Sequence, residues 1–125
     1  MVLVDTSVWI RALGSHPPYA HELDRLLNRE EVVGHALVFG ELLIGDRSGR
    51  KQLLESYQQI FQAGMIAHEE VVAFVRARSL YGRGIGWVDV HLLASTIVEG
   101  LKLWTADQHL SAIAEEAGVA HKIAS

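Results

Sequence analysis

Short apolar runs alternate with longer stretches of helical spacing along this chain. Met1-Val2-Leu3-Val4 is apolar throughout and predicts a short buried strand. Asp5-Thr6-Ser7 is a helix-start signal that leads into Val8-Trp9-Ile10-Arg11-Ala12-Leu13 and stops at Gly14. His16-Pro17-Pro18 reads as a loop, and Tyr19 to Asn28 as a helix spaced through Leu23, Leu26 and Leu27. Glu31 to Gly34 is a weak strand candidate, and Ala36 to Ile44 a buried helix ended by Gly45. Lys51 to Gln62 and Glu69 to Tyr81 have amphipathic helical spacing, and Gly82-Arg83-Gly84-Ile85-Gly86 reads as a turn. Trp87 to Glu99 predicts another helix with Gly100 as its stop. Leu101 to Trp104 predicts a strand, Asp107 to Ala117 a helix, and Val119 to Ile123 a last short strand. Strands alternating with helices in this way imply a parallel sheet covered on both faces.

Four acidic residues break this pattern. Asp5 ends the first apolar run, Glu41 lies inside Ala36 to Ile44, Asp89 inside Ile85 to Ala94, and Asp107 closes Leu101 to Ala106. Burying an unpaired carboxylate costs on the order of several kcal/mol, so four such placements suggest a shared partner. In parallel sheets ligands bind beyond the carboxyl ends of the strands. Asp5 and Asp107 each stand at such an end and share one rim if their strands are neighbours. Asp89 shares a helix face with Leu92, Leu93, Thr96 and Ile97, and Glu41 shares one with Leu37, Val38 and Ile44. Both are therefore expected on the core side, near the rim. Singly, Asp5 and Asp107 also fit helix N-caps, and Asp89 fits a first-turn acid facing the helix dipole.

A hard divalent cation relieves the repulsion among clustered carboxylates. Magnesium takes oxygen ligands and keeps waters that exchange with phosphate oxygens, so the natural reaction is phosphodiester hydrolysis. Thr6, Ser7 and Thr105 stand beside the acids as candidates for orienting a metal-bound water.

At 125 residues the chain reads as one domain, 1–125, and its 50% hydrophobic content is that of an ordinary globular protein. No apolar window is long enough to span a bilayer, and the start lacks the features of a signal peptide, so the cytoplasm is the expected location. The absence of cysteine excludes disulfides and thiolate metal sites. A net charge of −4 weighs against a high-affinity nonspecific nucleic-acid binder, but not against an enzyme whose acids hold a cation. The seven histidines show no convincing ligand spacing and are expected mostly at the surface or in turns.

Four segments, in order, resemble the PIN-domain ribonucleases, specifically the VapC-type toxins. They are Leu3-Val4-Asp5-Thr6-Ser7-Val8-Trp9-Ile10, Gly40-Glu41-Leu42-Leu43-Ile44-Gly45, Gly86 to Ser95 around Asp89, and Leu103-Trp104-Thr105-Ala106-Asp107-Gln108-His109-Leu110. Any one motif is weak, whereas the ordered set covers essentially the whole chain. The resemblance implies a three-layer α/β/α fold with a short parallel sheet and a magnesium-dependent endoribonuclease, manganese being the alternative ion. Asp5, Glu41, Asp89 and Asp107 match the family's acidic quartet. Asp5, Asp89 and Asp107 would be the metal ligands, with Glu41 acting directly or through water. Thr6, Ser7 and Thr105 match the flanking polar positions. The resemblance also implies an RNA substrate, a homodimer and silencing by a cognate VapB-like antitoxin whose C-terminal segment covers the groove. Leu110 and His91 depart from the usual residues at their positions, and no acid is missing.

Two other readings stand beside this one. A noncatalytic PIN-like module would bind RNA or a protein without turnover. A phosphoacceptor receiver domain would carry its reactive aspartate on a later strand than the first.

Overall fold

The computed structural model describes residues 1–47 and 49–123. The single-domain expectation over 1–125 also takes in residues 48, 124 and 125, which lie outside the described residues. In chain order the elements are β1 (Val2–Val4), α1 (Thr6–Leu13), α2 (Pro17–Asn28), β2 (Val32–Val33), α3 (Ala36–Gly45), α4 (Lys51–Gln59), α5 (His68–Ala77), α6 (Trp87–Val98), β3 (Lys102–Trp104) and α7 (Gln108–Glu116). The sheet order is β2-β1-β3, and both pairings are parallel. Val2, Leu3 and Val4 of β1 face Lys102, Leu103 and Trp104 of β3. A single parallel bridge extends each side, Gly34 to Gln62 beyond β2 and Leu103 to Ala120 beyond β3.

β1 is buried along its length because a central parallel strand has helices over both faces. Leu3, Val4, Val33 and Leu103 form the middle of the core with Val8, Leu92, Leu93 and Leu110. In α6 every residue from Val90 to Thr96 is buried, so this helix shows little amphipathic pattern. Its hydroxyls are satisfied locally: Thr96 donates to the Leu92 carbonyl at 2.7 Å, and Ser95 to the Gly64 carbonyl at 3.1 Å. Among the described residues no helix is long and apolar enough to cross a membrane.

Several boundaries differ from the sequence expectation. Pro17 and Pro18 are the first two residues of α2 rather than loop, because first-turn positions need no N–H partner. Residues 60–62 are not helical. Gly34 donates to the Phe61 carbonyl at 2.7 Å and Ala63 donates to Gly34 at 2.8 Å, so pairing beside β2 overrides the helical spacing. α5 stops at Ala77, and Ser79 takes a left-handed turn at φ 53°. Val119 to Ile123 forms no strand beyond its one bridge, where Leu103 donates to Val119 and His121 donates to Leu103.

Most of the seven histidines lie outside the core, as expected, but two are inside it. His35 is fully buried and His91 nearly so. His35 caps α3 by accepting the Leu37 N–H on Nδ1 at 3.0 Å, and its Nε2 lies 3.3 Å from Ser95 Oγ. The cap requires the neutral ring. A third histidine, His121, joins Glu22 at 2.8 Å, and Glu22 also takes a two-pronged contact from Arg25. The Arg25 hydrogen bond, against burial and with His121 helping, holds the Glu22 carboxyl down at about 2.

Burial, with the charge of His91 adding and Glu99 opposing, lowers the His35 pKa below its ordinary 6.5. Burial likewise lowers His91, with His68 adding to it. A depressed histidine leaves more protons on the unfolded chain, so this stability is complete above pH 6.5 and is lost as pH falls through the folded value. Glu22 acts in a separate window: its share is complete above 4.5 and is lost only toward 2. Thermal melts between about pH 7.5 and about pH 5.5 are expected to show a falling Tm, in the range where histidines titrate. His35→Asn keeps a cap acceptor that does not titrate, and it should make that decline shallower. An unchanged slope would remove His35 from the explanation.

Candidate active site

Asp5 follows β1 directly, and its backbone N–H donates to the Trp104 carbonyl at 2.9 Å. The carboxyl ends of β1 and β3 therefore lie side by side, as the shared-rim expectation required. Asp5 is buried. It occupies the N-cap position of α1, yet its carboxylate makes no cap bond. Its Oδ2 instead accepts from Ser7 Oγ at 2.6 Å and from Thr105 Oγ1 at 2.8 Å. Each hydroxyl is fixed in turn by a backbone amide, Ala106 N–H donating to Ser7 at 3.0 Å and Asp107 N–H to Thr105 at 3.1 Å. Since both hydroxyls accept from amides, their protons are committed to Asp5. Asp5 Oδ1 takes no part in these bonds.

The other acids arrive from three helices. Asp107 caps α7, its Oδ1 accepting the Leu110 N–H at 2.9 Å. Asp89 lies in the first turn of α6 and accepts the Gly86 N–H on Oδ2 at 3.0 Å, which fixes the start of that helix. Glu41 is held by Thr6, whose Oγ1 donates to Oε1 at 2.5 Å. Its position corrects the sequence expectation. Glu41 is exposed, not turned into the core, because α3 buries Val38 and Leu42 and leaves Ile44 88% exposed.

The electrostatics tie the four together. Burial raises the Asp89 pKa, and the charges of Asp5, Asp107 and Glu41 raise it further, against the hydrogen bond from Gly86. Among the described residues, no three histidine, cysteine, aspartate or glutamate side chains stand close enough to enclose a metal ion. Magnesium needs only one or two carboxylates and fills its shell with water, so the residues that would hold it are to be sought among Asp5, with its spare oxygen, Asp89 and Asp107.

Beside Glu41 runs a groove of about 260 Å³ lined by Ile10, Leu13, Leu42, Leu53, Leu54 and Arg50, among others. Leu43 and Ile44 stand exposed on α3. This surface was missed at the level of sequence, although α3 is apolar at every position but Glu41, which is a signal of an unpartnered face.

Adjacent parallel strands that bring acids to one rim, joined there by acids from neighbouring helices, define the class. The chain belongs to the PIN domain family, whose profile matches residues 2–116. Within it, the chain falls with the VapC-type ribonucleases. It is 41% identical over 121 residues to Ribonuclease VapC32 from two strains of Mycobacterium tuberculosis, covering 96% of this chain and 95% of the relative. The FitAcB crystal structure from Neisseria gonorrhoeae superposes with a TM-score of 0.62 at 22% identity, covering 92% of this chain and 94% of that one. The PAE2754 structure from Pyrobaculum aerophilum gives 0.57 at 21% identity, covering 89% and 77%. At these identities the two structures speak for the fold, a three-layer α/β/α arrangement around a short parallel sheet.

The raised Asp89 pKa makes a prediction about stability. A carboxyl whose folded pKa lies above its unfolded value stabilises the fold while protonated, and that contribution is lost as pH rises through the folded value. Asp89→Asn keeps an acceptor for Gly86 and carries no charge. It should melt higher than the parent at neutral pH by a few degrees, the scale on which relief of one repulsion moves the Tm of a small domain. The gain should vanish in acid. A lower Tm at neutral pH would show that Asp89 is a purely structural cap.

Proposed function

We propose that this chain is the toxin of a toxin–antitoxin pair, an endoribonuclease that hydrolyses RNA phosphodiester bonds with magnesium or manganese. The observation that carries the reading is the treatment of Asp5. A buried aspartate at an N-cap position normally satisfies a helix amide. Here the cap is forgone, and two hydroxyls held by amides grip one oxygen of the carboxylate. This leaves the other oxygen outside the hydroxyl grip, in a site where Asp5, Asp107 and Glu41 together push up the Asp89 pKa. Such preorganisation is what a metal ligand needs and what a helix cap does not. The sequence relationship to Ribonuclease VapC32 supports the same chemistry.

In this reading Asp5 and Asp89 hold the ion, and Asp107 holds it or positions the attacking water. Glu41 acts directly or through water and is kept in place by Thr6. Magnesium or manganese, when bound, supplies an acidified water and charge stabilisation at the phosphoryl oxygen. Ser7 and Thr105 keep Asp5 oriented through the reaction. The groove beside Glu41 suits an apolar segment of a VapB-like antitoxin, with a basic side chain reaching the acids. A homodimer is the assembly expected of such a toxin.

Two experiments test this. The purified chain should cleave a broad RNA pool with magnesium or manganese, and a chelator should stop it. Asp5→Asn should lower the rate at least about a hundredfold, the usual scale for removing a group that acts on the reacting atoms. RNA binding without any metal-stimulated cleavage would instead establish the binding-module reading. Separately, Ile10→Glu, at an exposed position that lines the groove, should weaken inhibition by the cognate antitoxin at least about tenfold and leave free-enzyme cleavage intact, as expected when an interface anchor is replaced by charge. Unaltered inhibition would place the antitoxin on another face.

A further inference from the structure

An acidic site that must accept RNA needs cations close by to offset repulsion between the carboxylates and the phosphates. Several of the chain's cations already have partners. Arg83 makes a two-pronged pair with Glu116 and Arg25 one with Glu22, while Lys122 meets Glu115 and Lys102 meets the Gly118 carbonyl. Arg11 is different. It is exposed, and among the described residues no carboxylate lies within ion-pair distance of it.

Its position is nevertheless fixed. Nη1 donates to the Ser7 carbonyl at 3.1 Å, one helical turn back toward the rim. The guanidinium carbon also lies 5.7 Å from the centroid of the Tyr19 ring, and Tyr19 stacks on Trp104 at 6.1 Å. Trp104 is the residue whose carbonyl receives the Asp5 amide. Arg11 is thus braced against the residue that grips Asp5 and, through Tyr19, against the end of β3. A guanidinium has five N–H donors, and only one is used in this hold. Preorganisation of this kind lowers the entropy lost on contact with a phosphate.

A plainer role exists for Arg11, that of a basic residue in the last turn of α1 facing the helix dipole. That role predicts hydrogen bonding to the last carbonyls of α1. The contact runs instead back to Ser7, in the first turn, on the side of the site.

We propose that Arg11 is a substrate-anchoring residue that binds a phosphate of the RNA strand next to the scissile one, on the β3 side of the acids. This rests on the ribonuclease reading above. The residue sets how RNA is held and takes no part in the chemical step.

The test uses the whole chain and a randomised single-stranded RNA pool, with cleavage followed at several salt concentrations. Arg11→Ala should raise KM about tenfold with kcat within about twofold of the parent, as uniform binding loss requires. The slope of log affinity against log salt should fall by about 0.7, the value for one phosphate contact on a single strand. Arg11→Lys should restore the salt slope and part of the KM, because it keeps the charge without the fork. The helix-dipole role would move Tm alone. Unchanged KM and salt slope in Arg11→Ala, in a parent that cleaves, would overturn the proposal while leaving the nuclease reading standing. Binding of the same pool to Asp5→Asn, with and without Arg11→Ala, separates the other failure. If the parent does not cleave and Asp5→Asn does not bind RNA, both ideas fall together.

Discussion

Asp5 donates its amide to Trp104 across the paired ends of β1 and β3, and the rest of the site depends on that parallel register. The pairing brings Thr105, a hundred positions later in the chain, within hydrogen-bond reach of Asp5. It also delivers the amides of Ala106 and Asp107 to the Ser7 and Thr105 hydroxyls. A slip of one residue would turn Leu103 out of the core and Thr105 away from the carboxylate. The apolar β1 that sets the core and the polar chain that holds the acid are therefore fixed by one contact.

The site is built at a cost to stability. Asp89 is half-buried among three like charges, and its pKa is pushed up as a result. A fold selected for stability alone would place an uncharged acceptor there, because the Gly86 amide asks only for an oxygen. Strain of this electrostatic kind marks functional sites more often than structural ones. It is offset elsewhere by well-satisfied buried polar groups, such as His35 with Leu37 and Ser95, and Glu22 with Arg25 and His121.

Much of this was legible in the sequence because it is local. The strand at Val2–Val4, the helices begun by Thr6, Ala36, Trp87 and Gln108, and the placement of acids at strand ends all follow from short-range pattern. What was not legible depends on distant partners. Gln62 leaves its helical spacing to pair with Gly34. Glu41 sits on an apolar stretch, and only the packing of Val38 and Leu42 reveals that its face is the open one. His35 could have been suspected from its place just before a helix start, but its burial depends on α6 and on Tyr57, whose hydroxyl accepts the His35 N–H at 2.8 Å. Arg11 reads as an ordinary polar helix residue until Tyr19 and Ser7 are seen around it.

The two flanks of the acids differ in chemistry, and that difference separates the two kinds of ligand in the proposed function. On the α3 side the wall is mostly apolar, with Ile10, Leu13, Leu53 and Leu54 beside Arg50 around a groove that reaches Glu41. On the β3 side it carries Arg11 over the Tyr19 ring, which the buried Trp104 backs. A polyanion gains little from the apolar part of the first wall, where its phosphates would lose water without a compensating partner. An amphipathic peptide gains most from it. A protein inhibitor seated on the apolar wall would meet Glu41 with any basic side chain it carries, and would close the mouth without touching Arg11. Inhibition and substrate anchoring can then be altered separately, because the acids are shared and the walls are not.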